Sequence, residues 1–173
     1  ARQWWERAAD AGDSGAMLNL GQLADVSGDE AGARQWFAQA ADAGDINAMF
    51  NLGMLLERSD DVAGASQWWE RAAEAGDSDA MYKLALLLLE RGGDALDAYK
   101  WLERAWLAGN TDAQVKLGVM SYEGGNVARA REFFERAADA GNINAMNNLG
   151  VLLEEAGDLE GAQQWFARAD AAE

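Results

Sequence analysis

Residues 68–77 read Trp-Trp-Glu-Arg-Ala-Ala-Glu-Ala-Gly-Asp, and residues 4–13 read the same save for Asp10 in place of Glu74. Between them Trp36-Phe37 opens a looser copy that closes on Ala43-Gly44-Asp45, so the true period is half the separation of the first two. Ala-Gly-Asp/Asn stands at 11–13, 43–45, 75–77, 108–110 and 140–142, in steps of 32, 32, 33 and 32 residues. The pairs Trp4-Trp5, Trp36-Phe37, Trp68-Trp69, Trp101-Leu102, Phe133-Phe134 and Trp165-Phe166 keep the same step, and Asn-Leu-Gly recurs at 19–21, 51–53 and 148–150. A fixed period of this length marks a solenoid, whose units bury their apolar faces only by stacking on their neighbours.

Within one period the apolar spacing is helical twice over. Met49, Leu52, Gly53 and Leu56 fall at i, i+3, i+4 and i+7 in a first helix. Ala65, Trp68, Trp69, Ala72 and Ala73 repeat the pattern in a second. Gly12, Gly44, Gly76, Gly109 and Gly141 sit where a left-handed residue ends each second helix, and the Asp or Asn that follows can cap the next first helix. A second stop recurs between the two helices, as Gly28-Asp29, Asp60-Asp61, Gly93-Asp94, Gly125-Asn126 and Gly157-Asp158. The expectation is an all-α, right-handed α-solenoid of eleven helices: a half repeat at 1–13, then pairs at 14–45, 46–77, 78–110, 111–142 and 143–173. One extra residue between Leu84 and Asp94 must be absorbed by a helix end or a turn.

Composition narrows the function. Among 173 residues there is no cysteine and no histidine, which excludes thiolate and imidazole metal sites, thiol nucleophiles and histidine acid–base chemistry. Fourteen basic against 30 acidic residues give a charge of −16, which repels nucleic acid and anionic bilayers. The longest apolar run, Leu84 to Leu89, is far short of a membrane span, and the first residues hold no signal-peptide apolar core. These features point to a cytoplasmic location. Eleven arginines against three lysines, with 37 alanines, suggest a bacterial source of high GC content.

The Ala-x-x-x-Leu-Gly helix, the Gly-Asp turn and Ala-x-x-[Trp/Phe]-[Trp/Phe]-x-x-Ala-Ala together resemble the tetratricopeptide repeat, and the Ala-Ala-x-Ala-Gly-Asp-x-x-Ala link is similar to its Sel-one-like subclass. The unit departs from both in its length of 32 residues and in its lack of a helix-terminal proline. The resemblance implies that first helices line a concave groove for peptides or partner helices, with second helices outside.

Most conspicuous residues then have structural roles. The aromatic pairs read as core, and Gly21, Gly53, Gly118 and Gly150 as points of close helix approach, with Ala85 in their place in the third pair. Asp60-Asp61, Asp77 with Asp79 and Glu154-Glu155 fall at helix ends, where capping and solvation are expected, so no catalytic, metal or cofactor site is assigned. The residues two before and two after the reference leucine of each first helix point away from the second helix. They offer Phe50, Met54, Tyr82, Leu86, Val115, Val119 and, further on, Leu89 and Tyr122 as an apolar stripe, with Asn147 in the last pair. Directly before that leucine comes a polar column of Asn19, Asn51, Lys83, Lys116 and Asn148. The resemblance implies that its asparagines hold the main chain of a bound peptide, which an amide can do by donating and accepting. The expected partner is a protein or peptide with apolar anchors and basic flanks facing Asp79, Asp112, Glu57 and Glu154. The competing readings are an inner wall that only packs on itself, an architectural segment that self-associates head to tail, and the regulatory arm of a larger signalling protein or enzyme.

Overall fold

The computed structural model describes residues 2–172, and those residues form eleven α-helices and no strand. In chain order they are α1 (Arg2–Asp10), α2 (Ser14–Val26), α3 (Glu30–Asp42), α4 (Ile46–Arg58), α5 (Val62–Glu74), α6 (Ser78–Glu90), α7 (Ala95–Leu107), α8 (Thr111–Glu123), α9 (Val127–Asp139), α10 (Ile143–Glu155) and α11 (Leu159–Asp170). The fold is an α-solenoid of antiparallel helix pairs.

One residue serves two helices at each turn between pairs, its backbone amide closing the first and its side chain opening the second. The amide of Gly12 donates to the Ala9 carbonyl at 2.9 Å and that of Asp13 to the Ala8 carbonyl at 3.0 Å, which closes α1. This reversal needs the φ of +91° that Gly12 adopts. Asp13 then accepts the Ala16 amide at 2.7 Å and opens α2. Asp45, Asp77, Asn110 and Asn142 accept the amides of Ala48, Ala80, Ala113 and Ala145 in the same way. Each such cap contributes roughly 1 kcal/mol.

Turns inside a pair follow a similar rule, with Asp29, Asp61, Asn126 and Asp158 accepting from the amide three residues on. The extra residue of the third pair is taken up here. The helix α6 keeps the 13 residues of α4, and the turn lengthens to residues 91–94, with Gly92 at φ +65° and Asp94 capping Leu96, two residues on, at 2.8 Å.

Two compact units divide within α6, one up to Leu84 and one from Ala85. In the first, α1 packs on α2, α2 on α3, α3 on α4 and α4 on α5; in the second, α7 packs on α8, α8 on α9, α9 on α10 and α10 on α11. Both units use the same lock. A methyl group built on Gly53 would lie 2.3 Å from Trp69 Nε1, and one on Gly21 2.5 Å from Phe37. In the second unit Gly118 faces Phe134 and Gly150 faces Phe166 at 2.5 and 2.4 Å. The bare backbone of each first helix is thus the seat of an aromatic ring from the second. Where Ala85 stands in the glycine column, the matching second-helix residue is Leu102 rather than a ring.

The aromatic pairs are not uniformly core. Phe37, Trp69, Leu102 and Phe134 are buried, whereas Trp36, Trp68, Trp101 and Trp165 are half-buried and Trp4 is 71% exposed. Adjacent helix residues project about 100° apart, so only the second of each pair can face the glycine. Three of the outer tryptophans, Trp68, Trp101 and Trp165, are instead covered by the arginine one turn on. Arg71 lies 4.2 Å from the Trp68 ring centre, Arg104 4.2 Å from Trp101 and Arg168 4.1 Å from Trp165.

Candidate functional site

In the first unit Asn19 on α2, Phe50, Asn51 and Met54 on α4, and Tyr82 and Lys83 on α6 are all half-buried. Lys83 already has its carboxylate: Nζ lies 2.9 Å from Glu57 Oε2 and 5.3 Å from the centre of the Trp69 ring. Glu57, expected to face a basic partner, is therefore engaged within the chain.

In the second unit Leu86, Lys116, Val119 and Asn148 are half-buried, while Tyr122 and Asn147 are exposed. Val115 does not reach the surface. It is 8% exposed and packs in the cluster of Phe134, Ala137, Met146 and Leu149. Its column holds Phe50 and Tyr82 in the earlier repeats, and the shorter valine side chain ends inside the core instead.

Val119 and Tyr122 of α8 converge with Asn148 and Val151 of α10 on an open cavity of about 180 Å³, completed by Phe134, Leu152 and Glu155. Phe134 is the ring seated on Gly118, so the lock that joins α8 to α9 also supplies the cavity wall. Tyr122 Oη donates to Glu155 Oε2 at 2.6 Å. That bond, and the charge of Glu155, raise the Tyr122 phenol above its ordinary pKa and keep it a neutral donor. Glu155 and the apolar wall residues Phe134 and Leu152 escape a reading of first-helix columns alone. The spacing of Tyr122 and Glu155 is a usable signal for one of them, since 33 residues also separate Arg58 from its ion-pair partner Asp25. Of the expected edge acids, Asp112 accepts Asn142 Nδ2 at 2.7 Å. Among the described residues no acidic group gathers as a metal site, and no helix is long and apolar enough to cross a membrane.

The Sel1 repeat family matches residues 1–13, 14–45 and 46–77, and tetratricopeptide repeat families match residues 82–143 and 143–169. The chain belongs to the tetratricopeptide-repeat superfamily, with Sel1-like repeats. This Sel1-like array is similar to the crystal structure of c5321, a protective antigen of uropathogenic Escherichia coli with an SLR fold, at a TM-score of 0.86 and 28% identity. The match covers 97% of this chain and 40% of that one, so the array spans less than half the antigen's length. It is similar also to a Sel1 repeat protein from Oxalobacter formigenes, at a TM-score of 0.85 and 29% identity over 99% of this chain and 78% of that one. YrrB, whose structure is described as a TPR protein with an unusual peptide-binding site, shares the fold at a TM-score of 0.63 and 21% identity, over 100% of this chain and 94% of that one. No curated protein matches. Repeats of this superfamily generally serve as protein-interaction scaffolds and are typically non-catalytic.

Proposed function

We propose that the Sel1-like array is a non-catalytic interaction module that binds an extended peptide or amphipathic helix on the face of its first helices. The observation that carries this reading is the cavity on α8 and α10. Val119, Val151, Leu152 and Phe134 make an apolar seat sized for one anchoring side chain. Asn148 stands at its edge with an amide that can donate to and accept from a peptide main chain. Glu155, oriented by Tyr122, favours a lysine or arginine beside the anchor. In the first unit Phe50, Met54 and Tyr82 make a half-buried apolar surface of their own around Asn51.

A peptide-display selection against the array tests this directly. The expected outcome is enrichment of sequences pairing a large apolar residue with a nearby lysine or arginine. Titration of a selected peptide should then show binding abolished by Val119→Glu and weakened about tenfold by Glu155→Gln, the loss of one charge-assisted contact of about 1.4 kcal/mol. A selection without that pattern, or an affinity indifferent to both substitutions, would overturn the proposal.

A further inference from the structure

The second-helix layer of the unit from Ala85 onward departs from the repeat rule where α7 meets α9. The aromatic pair is followed by Ala40-Ala41, Ala72-Ala73 and Ala137-Ala138 in other repeats, but by Ala105-Trp106 in α7. The third position of α9 carries Arg129, where α3, α5 and α11 carry Gly32, Gly64 and Gly161. These departures meet. The Trp106 ring stands edge-on to Phe133 at 5.5 Å, and a cavity of about 140 Å³ opens there, lined by both rings together with Arg129, Glu132 and Arg136.

Among the described residues the groups that hold the Arg129 guanidinium are neutral. Its Nη2 donates to Tyr99 Oη at 2.5 Å, and its guanidinium lies 5.7 Å from the Tyr99 ring centre and 5.6 Å from that of Phe133. Among the described residues Arg2, Arg34, Arg58, Arg71 and Arg131 pair with carboxylates of this acidic chain, whereas Arg129 and Arg136, like Arg7, Arg91, Arg104 and Arg168, form no ion pair. Two guanidinium forks against the single carboxylate of Glu132 leave the cavity one positive charge in excess beside an aromatic wall, complementary to a planar monoanion on an aromatic group.

We infer that this cavity binds a monocarboxylate carried on an aromatic ring, at a site distinct from the peptide-binding face. The ring stacks against Trp106 and Phe133, and the carboxylate takes the fork donors of Arg129 and Arg136. Tyr99 is a positioning residue that fixes Arg129. Glu132 repels a second negative charge, so a carboxylate is preferred to a phosphate dianion. A free aromatic acid and the C-terminus of a peptide ending in phenylalanine share this chemistry.

Phenylacetate, N-acetylphenylalanine, N-acetylphenylalaninamide and phenyl phosphate, titrated into the full chain and followed by backbone amide chemical shifts, test the inference. Both carboxylates, or one of them, should shift the amides of α7 and α9 with saturation, and the amide and the phosphate should bind at least tenfold more weakly. Binding by N-acetylphenylalanine alone identifies a chain terminus as the source; binding by phenylacetate identifies the free acid as sufficient. Arg129→Gly, which restores the residue of the other repeats, combined with Arg136→Gln should lower carboxylate affinity at least tenfold while leaving the helical circular dichroism unchanged. Equal binding of acid and amide, unaltered affinity in the double variant, or no carboxylate binding at millimolar concentration would each overturn the site.

Discussion

The contact between Gly53 and Trp69 shows how much of this molecule turns on single atoms. A methyl group at residue 53 would fall 2.3 Å from the indole nitrogen and 2.5 Å from Cδ1 of a ring that is 1% exposed, leaving that ring no free volume to enter. Gly53→Ala should therefore destabilise by about 1–3 kcal/mol, despite the better helix propensity of alanine. Trp69→Leu should cost roughly 3 kcal/mol through the volume it removes. Ala85 and Leu102 combine both replacements in the third repeat, so the double variant should be more stable than the sum of the two losses by at least about 1 kcal/mol. Urea unfolding of the four proteins measures the coupling, and strict additivity would show that ring and glycine do not constrain each other. Among the described residues the indole nitrogen of Trp69 has no hydrogen-bond partner, and neither has Nε2 of Gln114, a buried residue in a column otherwise filled by Met17, Met49, Met81 and Met146. Leaving such a group unsatisfied costs roughly 1–3 kcal/mol, so ring burial here is bought against a polar penalty.

The element that repeats is the turn, and its acid caps are not equivalent. Burial raises the Asp77 carboxyl above its ordinary pKa, opposed by the Ala80 amide that donates to it and reinforced by the charge of Asp79. A raised folded pKa means that the folded chain holds the proton more tightly. Stability from this group therefore falls as pH rises from the unfolded value of 3.8 through the folded one, and the full penalty is present at neutral pH. Asn110 and Asn142 cap the following first helices with the same acceptor and no charge. Asp77→Asn should accordingly be more stable than the parent at pH 7, with an advantage that shrinks toward zero as pH falls to about 3.8. Thermal melts of the two proteins across pH 3.5 to 7 decide this, and a constant difference would remove the carboxyl as its cause. Helix limits of this kind were legible in the sequence because capping is local: Asp13, Asp45 and their equivalents each bond an amide three residues away. The close approach at Gly53 was legible too, since period and residue size define it. The choice of Trp69 over Trp68 as the buried ring, the retreat of Val115 into the core and the Lys83–Glu57 pair were not. These depend on the rotation and offset of packed helices, within a repeat for Trp69 and a repeat apart for Lys83, and on side-chain reach, which neighbouring positions in one helix do not encode.

At the scale of the whole molecule, charge sets a condition that no single pair relieves. Thirty acidic and 14 basic residues leave a net charge of −16, and the ion pairs formed are exposed or half-exposed. Some of them join successive repeats, as Arg58 does with Asp25, Arg71 with Asp42 and Lys83 with Glu57. Exposed pairs are each worth about 0–1 kcal/mol, and salt weakens them. Salt also weakens the mutual repulsion of the unpaired acids, which is greater in the folded array than in the expanded chain. Repulsion involves more groups and acts over longer distances, so it is the larger effect at low ionic strength. Between 0.01 M and 0.1 M salt the screening length falls from about 30 Å to about 10 Å, so long-range repulsion is lost before contacts at ion-pair distance are. Over that range the protein should become more stable by about 1 kcal/mol, a rise of roughly 2–4 °C in the thermal midpoint for a chain of this size. Sodium and potassium chloride should act alike, since the effect depends on ionic strength and not on ion identity. A midpoint that falls with added salt would instead place the inter-repeat ion pairs above the net charge in holding the array together.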